Sequence, residues 1–265
     1  MRFIFIVLSF ISFNSCKSTK VDTIAFAKNP VIAHRGAFKA HNFPENSIAA
    51  LKYAIELGCA GSEFDVRMTS DTVLVVTHDP HFKGLIIEDT PYSQLSKHKL
   101  SNDEPLPTLR DFLIAGMDNN RSTGLVCEIK PSKMEGRNAI MAKKVLDLVS
   151  ELKAESYMSY YISFSDELLK RIIEINPKAK TQLLDGSMSP VALNDVGISG
   201  LDYAANIYKK NPEWIKNTKS LNLKLNVWTI NKSDDMDWYL NEGFDYITTN
   251  EPELLFERVK IKLAK

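Results

Sequence analysis

Beyond residue 30 the chain alternates between two hydrophobic patterns. Short, dense apolar runs occupy residues 31–34, 62–67, 124–130, 160–164, 181–184, 198–203, 224–229 and 246–248. Runs this short and this apolar read as strands buried on both faces, as in a parallel sheet. Between them lie segments whose apolar residues recur about every 3.6 positions, as Ile48, Leu51, Ala54 and Ile55 do, and these read as helices. Helices are expected at 44–57, 109–117, 138–152, 166–175, 213–221, 233–240 and 253–261, the first closed by Gly58. A further run at 72–77, after a Thr-Ser-Asp turn, reads as a short hairpin-like strand. Eight principal strands joined by short crossovers predict an α/β fold: a (β/α)8 barrel of TIM type with a short inserted segment after the second strand. An open, doubly wound sheet shares this periodicity and is the alternative, because periodicity does not reveal closure.

Length and charge narrow the picture. A chain of 265 residues, 44% of them hydrophobic, suits one catalytic domain, placed at 30–265. Its 33 basic and 33 acidic side chains balance, so no long-range field favours nucleic acid, and an anionic substrate has to be held by local groups. Residues 1–15 carry one positive charge and an apolar run from Phe3 to Phe13 that is too short to span a bilayer, which predicts an export signal peptide. Cys16, followed by Lys17, Ser18 and Thr19, resembles the first mature residue of a bacterial lipoprotein, although Phe13 and Asn14 depart from the usual leucine and small residues before it. The expectation is an exported protein, periplasmic or on an outer face, anchored to a membrane through Cys16 and a polar tether at 16–29. An ordinary cleaved signal is the alternative. Cys59 and Cys127 have no partner at ligand spacing and read as small buried hydrophobes.

Candidate chemistry is concentrated between Pro30 and Pro80. Side chains two apart on a strand share a face, so Glu63 and Asp65 point together, with Phe64 and Val66 turned toward the helices. By the same rule Glu128 and Lys130 share a face, and Cys127 and Ile129 take the other. Carboxylates gathered inside a barrel repel one another unless protons or a cation offset them, and carboxylate oxygens suit Mg²⁺ or Ca²⁺. A surface lattice of salt bridges is the bland alternative, and the apolar flanks of both strands argue against it. His34 ends the first strand and His78 follows the hairpin-like run; two such histidines flanking an oxygen-ligand metal site suit a general acid and a general base. Arg35 offers a planar fork and Lys130 a point charge for phosphate oxygens, and Gly36 lets the backbone approach closely.

These residues, taken in order, carry a resemblance. The sequences H-R-G at 34–36, P-E-N-S at 44–47, E-F-D at 63–65, H-D at 78–79, L-P-T-L at 106–109, E-I-K at 128–130, V-W-T at 227–229 and T-T-N-E-P at 248–252 resemble the glycerophosphodiester phosphodiesterase family. The resemblance runs from about Val31 to the C-terminal helix. It implies a barrel enzyme that hydrolyses glycerophosphodiesters to an alcohol and glycerol 3-phosphate with one bound divalent cation, Ca²⁺ or Mg²⁺. It implies His34 and His78 as the acid/base pair, Glu63, Asp65 and Glu128 as metal ligands, and Arg35 and Lys130 as phosphate contacts. Trp228 matches a tryptophan that lines the glycerol side of the pocket, and Asn46, with Glu45, matches a segment buttressing the first histidine loop; Asn46 is counted among the substrate-binding residues. Ser47 replaces the commoner threonine, which also caps helices. Asn250 stands where an aspartate is usual, and residues 81–104 are short for the family's inserted subdomain, so the leaving-group side of the cleft is expected to be open.

Other positions read more plainly. His41, His81 and His98 lie in polar loops and are expected at the surface; Trp214 and Trp238 are expected to pack. Phe164 suits either a pocket wall or the core, and Gln182 and Tyr203 sit at inward-compatible strand positions. Two other functions share the barrel: lysophospholipase D-like release of lysophospholipid head groups, and non-catalytic capture of phosphorylated polyols by a binding lipoprotein.

Overall fold

The computed structural model describes residues 24–264, so the expected signal peptide and Cys16 lie outside the described residues. Its strands are β1 (Val31–Ala33), β2 (Gly61–Met68), β3 (Leu74–Val76), β4 (His81–Phe82), β5 (Leu85–Ile86), β6 (Gly124–Ile129), β7 (Met158–Ser163), β8 (Thr181–Leu183), β9 (Gly200–Ala204), β10 (Lys224–Trp228) and β11 (Tyr246–Thr249). The helices are α1 (Ile48–Leu57), α2 (Tyr92–Leu95), α3 (Leu109–Met117), α4 (Arg137–Glu151), α5 (Asp166–Ile175), α6 (Pro190–Asp195), α7 (Ala205–Lys210), α8 (Glu213–Ser220), α9 (Ser233–Asn241) and α10 (Pro252–Leu263). β1, β2, β6, β7, β8, β9, β10 and β11 pair in parallel in that order, and β11 pairs back onto β1, which closes the barrel. The open-sheet alternative is thereby excluded. β3 pairs antiparallel with the end of β2, as the hairpin-like run predicts.

Alternation along the strands divides the apolar residues into two cores. Phe64, Val66, Cys127, Ile129, Leu201, Tyr203 and Val227 pack outward against the helices. Ile32, Val126, Tyr160, Ile162 and Leu184 fill the barrel, with Trp228 and Tyr246 against them. Cys59 and Cys127 are buried and free, as expected. Tyr203 does not point inward: its register partner is the outward-facing Val227, and its hydroxyl donates to the Met188 carbonyl oxygen at 2.8 Å. Gln182 does take the interior face, paired in register with Ile162. Trp214 packs against Tyr203 as expected, whereas Trp238 is 44% exposed, because it falls on α9 beside the buried stripe of Met236, Tyr239 and Leu240.

Two local devices set the upper rim. The Ser47 hydroxyl accepts from the Ala50 N–H and caps α1, which Gly58 ends at φ 74°. Residues 81–104 form the β4–β5 hairpin, a 3-10 turn and α2 around Phe82, Ile87 and Leu95, with their own apolar contacts to Val75 and Leu106. From the end of this segment the Glu104 carboxylate accepts from the N–H groups of Ile48 (2.8 Å) and Ala49 (3.1 Å), so the insertion supplies a second cap to α1. At the opposite end of the barrel Asn29, placed in the expected tether, donates to the Gly58 carbonyl and accepts from the N–H groups of Val31 and Ala60.

Candidate active site

The strand register that closes the barrel also gathers the acids. Asp65 on β2 lies opposite Glu128 on β6, and Glu63 sits one inward position earlier. One oxygen from each of Glu63, Asp65 and Glu128 lies within 4.8 Å of the others, and all three residues are buried. Burial, then the charges of Asp65 and Glu128, push the Glu63 carboxyl well up; burial and Asp65 raise that of Glu128 to about 7. Asp65 is also buried, yet Lys130, Asn46 and Arg35 hold its carboxyl below the usual range. A divalent cation relieves this repulsion, and the donors fit one: they are all oxygens, and Glu63 Oε1 has no hydrogen-bond partner among the described residues.

The loop after β1 is stitched to this cluster. Arg35 adopts φ 54° and its N–H donates to Glu63 Oε2 at 2.8 Å; the Gly36 N–H donates to the Glu63 carbonyl at 3.1 Å. At Gly36 φ is 81°, and a Cβ there would stand 2.7 Å from Ala50, so glycine is required. The Arg35 guanidinium donates to Glu45 at 2.5 Å and lies 3.5 Å from Asp65 Oδ2, while still bordering the cavity. Lys130 stands 2.8 Å from Asp65 Oδ1 and 2.6 Å from Glu128 Oε1. Asn46 departs from the expectation of substrate contact. Its amide donates to Asp65 Oδ2 (2.8 Å) and its carbonyl oxygen accepts from the Asp65 N–H (3.1 Å), so it is buried as a clamp and does not border the cavity.

Both histidines face the cavity. His34 Nδ1 donates to Asn250 Oδ1 at 2.6 Å, which leaves Nε2, 4.0 Å from Glu63 Oε2, with the lone pair. Burial and the Arg35 charge lower its pKa to about 4. His78 is half-exposed, and its Nδ1 donates to Asp79 Oδ1 at 2.9 Å. His41, His81 and His98 are exposed, as expected, with His41 lying edge-on to Tyr53.

Four apolar side chains, Ile162, Phe164, Leu184 and Trp228, make up most of the remaining wall, with Thr229 and Thr248 beside them. Phe164 therefore walls the pocket, with its ring 5.7 Å from that of Trp228 and 5.9 Å from the Lys130 ammonium. The cavity measures about 100 Å³. Its floor includes Asp202, which the sequence reading passed over. The signal was present, since a carboxylate inside the apolar run 198–203 meets the criterion that singled out Glu63 and Glu128.

Comparison with known proteins decides the family. Residues 34–254 match the glycerophosphoryl diester phosphodiesterase family. The chain belongs to that family. A glycerophosphodiester phosphodiesterase of Caldanaerobacter subterraneus is 30% identical over 259 residues, covering 88% of this chain and 98% of the relative. The crystal structure of a glycerophosphodiester phosphodiesterase from Parabacteroides distasonis superposes with a TM-score of 0.85 at 35% identity, over 91% of this chain and all of that one. A phosphodiesterase of Oleispira antarctica, solved with the product sn-glycerol-3-phosphate, shares the fold at a TM-score of 0.75 and 20% identity, covering 88% of this chain and 97% of its own. The protein is thus a phosphoric diester hydrolase of the glycerophosphoryl diester phosphodiesterase family.

Proposed function

We propose that the protein hydrolyses glycerophosphodiesters to an alcohol and glycerol 3-phosphate, with one divalent cation, Ca²⁺ or Mg²⁺, held by Glu63, Asp65 and Glu128. The observation that carries this reading is the buried triad of carboxylates within 4.8 Å, flanked by two histidines on one cavity. When bound, the cation supplies charge against the phosphodiester oxygens. Arg35 and Lys130 add fixed positive charge beside it. His34, neutral above about pH 4 and anchored through Nδ1, uses Nε2 to take the proton from the attacking oxygen. His78 in its protonated form, oriented by Asp79, gives its own proton to the departing alkoxide. Asn46 keeps Asp65 in place through two hydrogen bonds.

The test is release of choline and glycerol 3-phosphate from glycerophosphocholine after chelation and re-addition of Ca²⁺ or Mg²⁺, beside lysophosphatidylcholine. Turnover with either ion is expected; binding without cleavage under any divalent cation would leave the polyol-capture reading instead. The N-terminal sequence supports an exported, lipid-anchored enzyme, for which palmitate labelling lost in Cys16→Ala is the expected result.

A further inference from the structure

Asp202 stands on β9 in the floor of the cavity, 1% exposed, where the wall around it is Ile162, Leu184 and Trp228. The Trp228 indole N–H donates to its backbone carbonyl at 2.8 Å, so the ring is fixed against the strand that carries the carboxyl. The Asn226 amide bonds to the carboxyl, but Oδ1 has no hydrogen-bond partner among the described residues. On the neighbouring strand Gln182 is equally buried, and neither its Oε1 nor its Nε2 has a partner among the described residues. Buried polar atoms are nearly always bonded, so the spare capacity of Asp202, which borders the cavity, marks a place that a ligand completes, with the unbonded amide of Gln182 on the adjoining strand beyond the lining.

We propose that Asp202, with Gln182 on the adjoining strand, is a specificity-determining residue that bonds a hydroxyl of the substrate's glycerol group. The inference rests on the reading of this cavity as a glycerophosphodiester site. The phosphorus sits between the two histidines, and the half-exposed His78 marks the open side for the head group. The group on the Asp202 side is the enclosed one, bounded by Trp228 and Leu184. Burial, with the Glu128 charge, favours the neutral carboxyl, which donates as well as accepts. A site built around a hydroxyl rejects an analogue that lacks it, because the protein's own groups are then left unpaired.

The test is calorimetric titration of the Ca²⁺-loaded protein with glycerol 3-phosphate, 3-hydroxypropyl phosphate and n-propyl phosphate. The wild type is expected to bind glycerol 3-phosphate about tenfold or more tightly than n-propyl phosphate. In Asp202→Leu that ratio falls toward one while n-propyl phosphate binds as before; Gln182→Leu, a second variant should the first fail to fold, narrows the ratio partially. Equal wild-type affinities, or a folded Asp202→Leu that keeps the full preference, overturns the inference. Failure of the hydrolytic reading looks different: discrimination in binding persists while glycerophosphocholine is not cleaved.

Discussion

The two halves of the cavity are built on opposite principles. On β2, at the end of β6 and in the loop after β1 the side chains are polar, most of them charged, and bonded to one another: Arg35 to Glu45, Asn46 to Asp65, Lys130 to Asp65 and Glu128. From β7 to β10 the lining is mainly Ile162, Phe164, Leu184 and Trp228, held by contact, with Asp202 and Thr229 the polar members. The first half fixes charges where a phosphodiester reacts; the second offers shape to what the phosphorus carries. Damage to the first should fall on every substrate, and damage to the second on glycerol-bearing ones.

Chelation should be the most severe lesion, lowering turnover of glycerophosphocholine and of bis(p-nitrophenyl) phosphate alike by several kcal/mol of barrier, about 10³-fold or more, reversed by Ca²⁺ or Mg²⁺. His34→Ala comes next, with an expected loss of about 10²- to 10⁴-fold in kcat for both substrates. A variant as fast as wild type would remove His34 from the chemistry. Trp228→Ala should divide the two halves: about tenfold lower kcat/KM for glycerophosphocholine, with bis(p-nitrophenyl) phosphate nearly unaffected. Asn46→Ala removes one donor to the buried Asp65 carboxylate and the acceptor of the Asp65 N–H, and should lower stability by about 1–3 kcal/mol, read as a fall in Tm. The mildest change is Asn250→Asp. A charged acceptor at Nδ1 favours the imidazolium and raises the His34 pKa from about 4, so the acid limb of the kcat/KM profile should move to higher pH. A limb that stays put would show that this base is not His34.

The charged half was more legible in the sequence than the apolar one. Glu63, Asp65, Glu128 and Lys130 announce themselves because a charge within a two-face-buried strand is expensive and hence noticeable. Asn46 has the same buried neighbourhood, but an amide in a loop gives no sign of whether it faces substrate or another side chain, and here it faces Asp65. Gln182 and Asp202 depended on strand phase. With β9 read one residue out of step, Tyr203 takes the interior and Asp202 disappears behind it; the pairing of Asp202 with Asn226 settles the phase, and that pairing is tertiary. The short helices α6 and α7 were missed for a related reason, since neither is long enough to show a period.

The carboxylate of Glu104 closes the insertion yet holds the start of α1, which itself abuts the turn carrying Arg35 and Gly36. The excursion is therefore not a detachable module. Transplanting another loop between residues 81 and 104 would leave the Arg35–Gly36 turn correctly placed only if the graft brought an acid of its own to the same spot, which makes loop exchange and active-site geometry a single engineering problem.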